Sequence, residues 1–308
     1  MRTDVHQHLW PEELVSLLAA RRSAPCLRPS PVGWWLRLPD EPECLVGSEH
    51  WDVDRRAELV EDDRLDRALI SLSTVLGVEG LPSVEAAPLL DAYHEGVAAL
   101  PPCFGGWAAL SLENPDPEEL DVRLRQGFVG ASLPAGALGT PAGVERCGPV
   151  LERLELRDAP LLVHPGPNPW RTSEPSPGGA PDWWPALTRY VAQMNEAWHA
   201  FAAFGRRNHP GLRVLFVMLA GLGPLHAERL AARGGPPTGP DPLAFLDASS
   251  YGPRTIDAVV RELGIDQLVY GSDRPVASPL ECPIGPAARE AMLVANTERL
   301  LARSVVTA

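Results

Sequence analysis

Two histidines near the start of the chain, in the run Asp4-Val5-His6-Gln7-His8-Leu9-Trp10, are spaced to do metal chemistry. In a strand, residues i and i+2 point to one face. An HxH at a strand's end therefore turns two imidazoles toward one point, and imidazole is the commonest protein ligand for a transition metal. Taken alone, the pair reads equally as two polar residues of a loop. The case for chemistry rests on two more residues that end apolar runs, His164 after Pro160-Leu161-Leu162-Val163 and Asp273 after Gln267-Leu268-Val269-Tyr270-Gly271-Ser272. Three neutral imidazoles and a carboxylate suit one divalent metal ion, zinc above all. Such an ion lowers the pKa of a bound water toward neutrality. Singly, His164 also fits a buried histidine bonded to a backbone carbonyl, and Asp273 a helix N-cap. The remaining histidines, His50, His94, His199, His209 and His226, fall in predicted helices or surface loops and are not expected to be ligands.

These four residues meet only if the strands that end in them share one mouth. Short apolar runs alternate with amphipathic stretches along the whole chain. Strands are predicted at 2–6, 68–72, 105–112, 130–133, 160–164, 213–218, 244–247 and 267–271. Helices are predicted at 12–21, 54–63, 84–99, 117–126, 143–157, 187–204, 224–232, 254–263 and 287–303. Near-continuous apolar strands separated by helices predict an α/β fold, a distorted (β/α)8 TIM barrel whose strand ends carry the chemistry. A doubly wound open sheet is the alternative, but no glycine-rich phosphate loop follows the first strand. Between residues 23 and 50 the composition shifts to proline and tryptophan with alternating apolar residues, which predicts a small β-hairpin insertion. The expectation is one domain over residues 1–308, with this insertion acting as a lid.

The 308 residues carry a net charge of −13, which disfavours nucleic acid or an anionic membrane surface as partner. All 27 basic residues are arginine, so lysine Schiff-base and P-loop chemistry are excluded. The five cysteines, Cys26, Cys44, Cys103, Cys147 and Cys282, are scattered without a CxxC pair. They read as reduced thiols of a cytoplasmic protein, without a signal peptide or an apolar run long enough to span a bilayer.

The same segments carry a family resemblance. Asp4 to His8, His50-Trp51-Asp52 through Ser71-Leu72-Ser73-Thr74, Leu161 to His164, Tyr270 to Pro275 and Asn296 to Leu300 resemble the amidohydrolase-related metal-dependent hydrolases. Within them the chain is most similar to the branch of aminocarboxymuconate semialdehyde decarboxylase. The resemblance spans essentially the whole chain. It implies a distorted TIM barrel holding one divalent metal, usually zinc, through His6, His8, His164 and Asp273, and often a homodimer.

Two departures from the family pattern affect the expected chemistry. Strand six of the family normally ends in a histidine that serves as catalytic acid or base; here the run is Val217-Met218-Leu219-Ala220-Gly221, with Met218 at that place. A thioether transfers no proton at neutral pH. The family's hairpin also carries an arginine that grips the substrate carboxylate, where this chain has Cys44, with Arg37 on the opposite run.

Asp273 is then the expected base, and Arg274, Trp34, Trp35 and Met218 are the expected substrate contacts. The Trp183-Trp184 pair is a further candidate cover for the mouth. The primary expectation is hydrolysis of a small-molecule amide, ester or lactone by a metal-activated water, because this depends least on the missing histidine. The alternatives are a decarboxylase of a small unsaturated or aromatic acid and a ligand-binding barrel that no longer catalyses.

Overall fold

The computed structural model describes residues 1–172, 174–236, 239–278 and 284–302. Cys282 and Arg303, named in the sequence reading, lie outside them. The chain opens with β1 (Thr3–Gln7), followed by a small antiparallel sheet of β2 (Cys26–Ser30), β3 (Gly33–Arg37) and β4 (Cys44–Val46). Then come β5 (Arg67–Ile70), β6 (Phe104–Gly106), β7 (Ala108–Ala109), β8 (Ala131–Pro134), β9 (Leu161–His164), β10 (Val214–Phe216), β11 (Ala244–Asp247) and β12 (Leu268–Val269).

Parallel pairing orders β1, β5 and β6 in one sheet and β7 to β12 in another. The two sheets join at both edges. Trp107 links β6 to β7, so a single stave pairs first with β5 and then with β8. At the other edge, Val5 N donates to Tyr270 O at 2.9 Å, Asp273 N to His6 O at 2.9 Å and His8 N to Arg274 O at 2.7 Å. The result is a (β/α)8 barrel of eight staves. Its strands are buried on both faces, as β5 (Ala68, Leu69, Ile70) and β9 (Leu161, Leu162, Val163) show. Asp52, Asp116 and Thr140 cap the helices Val53–Asp62, Pro117–Arg125 and Pro141–Leu156 by accepting from first-turn amides, which fixes where three of the outer helices start.

Three local features differ from the sequence expectation. The hairpin is a three-stranded sheet, because the alternating run at Cys44–Val46 pairs back onto β3, with Trp34 opposite Val46 and Leu36 opposite Cys44. The helix predicted from Pro224 starts at Ala227. Before it, Met218 to Leu222 all have φ between 47° and 65°, a left-handed turn that is costly for non-glycine residues. The last helix is interrupted by a wider turn at Ala291–Ala295 between Pro286–Glu290 and Asn296–Leu301.

Candidate metal centre

His6 and His8 lie on and just past the end of β1, His164 ends β9, and Asp273 follows β12. One donor atom from each lies within 4.8 Å of all the others, and all four residues are buried. The Nε2 atoms of His6 and His8 are 3.3 Å apart, and those of His8 and His164 are 3.2 Å apart. Asp273 Oδ1 sits 3.1 Å from His8 Nε2 and 3.6 Å from His6 Nε2.

The outward ring nitrogens set the tautomers. Nδ1 of His6 faces Asp247 Oδ2 at 2.7 Å, Nδ1 of His8 donates to Ser71 O at 2.9 Å, and Nδ1 of His164 donates to Pro165 O at 2.8 Å. With each Nδ1 carrying a hydrogen, the three Nε2 lone pairs converge. Lone pairs that close repel unless a cation or a proton lies among them. Asp273 Oδ1 is buried there without a hydrogen-bond partner among the described residues. Donor identity, spacing and this orphan oxygen fit a divalent metal ion.

Electrostatics describe the same pull toward positive charge. Burial disfavours a charged His6, but Asp247, Asp273 and Asp4 outweigh it and raise its pKa to about 9. Burial drives His164 well below the ordinary histidine value, and the charges of His8 and His6 add to this. Burial pushes the Asp273 carboxyl up, yet His8 beside it and the neighbouring imidazoles of His6 and His164 hold it below its usual range.

Two supports were missed in the sequence. Asp247, fully buried at the end of β11, binds His6 through one oxygen. Through the other it accepts from Met218 N at 2.9 Å and from Ser249 N and Oγ at 3.1 and 2.7 Å. Arg56 is buried behind β1; it donates to His8 O at 2.7 Å and to Gln7 Oε1, and it reaches Arg274 O at 3.3 Å. The strand-end rule that found His164 applies equally to Asp247; Arg56 sits mid-helix and carries no such signal.

A cavity of about 510 Å³ opens beside the donors and is lined by His8, His164, Asp273 and Met218. Leu36, Leu38, Glu41, Cys44, Leu45 and Val46 of the small sheet and its loops line it as well. So does His50, whose Nδ1 donates to Gly47 O at 3.3 Å and whose pKa is lowered by burial. Three expected contacts lie elsewhere. The Arg274 guanidinium is bound to Asp63 at 2.7 Å and does not line the cavity. Trp34 packs against the core and Trp35 is 41% exposed; neither lines the cavity, and Leu36, which alternates with Trp35 across β3, takes the inward place. Trp183 and Trp184 are also exposed, and Asp182, Pro185, Ala186 and Leu187 line the wall in their place. Arg37 points to Glu43 at 3.9 Å, outside the cavity.

No protein-family profile matches the chain. Among curated proteins it is 25% identical over 274 residues to gamma-resorcylate decarboxylase of Rhodococcus jostii, covering 75% of this chain and 82% of that protein. In fold it is similar to 2,6-dihydroxybenzoate decarboxylase from Rhizobium, with a TM-score of 0.71 at 18% identity over 97% of this chain and 98% of that one. It is also similar to 5-carboxyvanillate decarboxylase of Novosphingobium aromaticivorans, solved with manganese and a nitrobenzoic acid. There the TM-score is 0.73 at 15% identity, over 98% and 97% of the two chains.

These comparisons overturn the hydrolase expectation, because the proteins they name are decarboxylases of aromatic acids. The four donors serve either chemistry, so the donor set alone favoured neither. The chain is thus similar in sequence to a gamma-resorcylate decarboxylase and in fold to decarboxylases of aromatic acids, in agreement with the resemblance carried by its strand-end residues.

Proposed function

We propose that this protein is a metal-dependent carboxy-lyase that removes CO2 from a small aromatic carboxylic acid. The observation that carries the reading is the convergence of His6, His8, His164 and Asp273 on one point beside a largely apolar cavity. The match to gamma-resorcylate decarboxylase supports it. His6, His8, His164 and Asp273 would hold the ion. When bound, a divalent ion supplies a Lewis acid that fixes and polarises the substrate's carboxylate. Three imidazoles and one carboxylate suit zinc, while the 5-carboxyvanillate decarboxylase structure holds manganese; elemental analysis decides between them.

The chain's own residues then have three tasks. Leu36, Leu38, Val46, Val75 and Leu76 line the cavity with apolar surface that packs on a flat ring and excludes water. Asp247 fixes the orientation of His6, and Ser71 and Pro165 fix those of His8 and His164. The third task is the proton. Decarboxylation breaks the bond between ring and carboxyl carbon, leaves the electron pair on the ring carbon and requires one proton there. Met218 cannot supply it, so a proton taken up from water is relayed to the ring carbon through the Asp273 carboxyl, which borders the cavity and is left ionised afterwards. The small sheet acts as a lid over this site. The reading keeps one working unit over residues 1–308, a homodimer and a cytoplasmic location, as the resemblance and the thiols imply.

Release of labelled CO2 from carboxyl-labelled hydroxybenzoic acids by the metal-loaded protein tests the proposal. Release that Asp273→Asn abolishes is the expected result. Binding of these acids with no CO2 release, in wild type and in Met218→His alike, would leave a ligand-binding barrel in its place.

A further inference from the structure

The cavity wall formed by the small sheet and the helix Arg189–Ala200 has a polar character the metal chemistry does not use. Glu41 leaves the loop between β3 and β4 and faces the cavity with its side chain only 10% exposed. Its Oε2 accepts the Tyr190 hydroxyl at 2.6 Å, and Arg189 Nη1 stands 3.4 Å from Oε1. Arg189 is otherwise committed to Asp40 O at 3.1 Å and Glu174 O at 2.7 Å, and it does not line the cavity. Asp182 and Cys44 stand on the same wall. Among the described residues, neither arginine nor lysine lines the cavity.

Such a wall selects by hydrogen-bond direction. A carboxylate offers about four lone-pair sites, and Tyr190 and Arg189 engage only two, so Glu41 has acceptor capacity left for a ligand. Tyr190 has given its only proton to Glu41 and can offer a ligand nothing but an acceptor. Burial raises the Glu41 carboxyl above its ordinary value, with Tyr190 and Arg189 opposing. A second carboxylate on the substrate would meet Glu41 and Asp182 as a desolvated like-charge contact, because the Arg189 guanidinium is already committed to Glu41 and to two backbone carbonyls. A neutral hydroxyl or amino group would instead donate to Glu41.

We propose that Glu41, positioned by Tyr190, is the specificity residue of this cavity, accepting from a hydroxyl or amino donor on the bound aromatic acid and disfavouring a second carboxylate. This rests on the aromatic-acid reading of the cavity given above.

Calorimetric titration of the metal-loaded protein tests it. The probes are benzoic acids carrying one further hydroxyl, amino, methyl or carboxylate group at each ring position in turn. At one position the hydroxyl or amino acid should bind about tenfold tighter than its methyl counterpart, the loss expected when a buried charged acceptor goes unpaired. The second carboxylate should bind worst. In Glu41→Leu the preference should shrink to within roughly threefold, and in Glu41→Gln, whose amide oxygen still accepts, it should persist.

An unchanged preference in Glu41→Leu overturns the proposal. So does a dicarboxylic acid bound as tightly as the hydroxy acid, or a panel in which nothing binds. The wild-type ranking alone decides between the donor and the second carboxylate if Glu41→Leu does not fold. CO2 release is read in the same samples: the binding preference without release keeps the Glu41 assignment and removes the decarboxylase.

Discussion

Asp247 Oδ2 lies 2.7 Å from Nδ1 of His6, and both side chains are fully inaccessible to solvent. The same carboxylate holds the amide of Met218 at 2.9 Å, so one residue at the end of β11 anchors both a candidate metal donor and the left-handed turn on the cavity wall. Removing it should loosen both. Asp247→Ala is expected to weaken metal binding by about 10- to 100-fold, the usual effect of losing a carboxylate behind a ligating histidine. Competition against a chromophoric chelator measures this, and an unchanged affinity would show that Asp247 does not set His6.

The backbone beside Asp247 tests the same link without touching either residue. A Cβ on Gly271 would lie 2.5 Å from Asp247 Oδ2 and 2.9 Å from its Cβ. Gly271→Ala should therefore displace the carboxylate, lower stability by about 1–3 kcal/mol and weaken metal binding in parallel. Thermal melts with and without added metal would show both effects. A fully wild-type protein would mean that the barrel mouth yields where it is expected to be rigid.

Met218 occupies the cavity wall with φ of 52°. Histidine tolerates this left-handed backbone better than most residues. Met218→His would place a group that titrates near neutrality next to the donors. Turnover of an accepted acid should rise by roughly 100-fold, the scale of one added general acid or base. Equal rates in both proteins would show that Asp273 already meets the need for a proton.

A pH effect is expected away from the site. Glu79 is fully buried, neither carboxyl oxygen has a hydrogen-bond partner among the described residues, and burial pushes its pKa up from 4.5 to about 8. Between those values the folded state holds a proton that the unfolded state has released, so stability falls as pH rises through the window. The contribution is complete below about 4.5 and gone above about 8. Wild type should thus lose more melting temperature between these limits than Glu79→Gln, which keeps the shape without the titration. Parallel curves for the two proteins would contradict this.

How much of this could be read from the chain follows from what each signal encodes. Strand ends are legible because apolar runs are, and in a barrel they converge; this is why residues as distant as His6 and Asp273 could be paired. Side-chain direction is not legible. Arg274 follows a donor in sequence, yet its guanidinium turns back to Asp63, and on β3 it is Leu36 and not the expected Trp35 that lines the cavity, because the two alternate across the strand. His50 falls in a predicted loop and is not expected to be a ligand, yet it lines the cavity, since a loop's fold over the mouth leaves no periodic trace. The left-handed run from Met218 to Leu222 contradicts local preference outright. It is held by tertiary contacts, the Asp247 bond and the close packing of Gly221 on Val191 O, where an added Cβ would lie at 2.4 Å.

The central claim is that His6, His8, His164 and Asp273 share one divalent ion, and elemental analysis of the purified protein addresses it most directly. About one equivalent of zinc or manganese per chain is expected in wild type, falling to less than roughly a tenth in His8→Ala and Asp273→Ala. Wild-type protein that retains less than about a tenth of an equivalent after incubation with either metal would contradict the account.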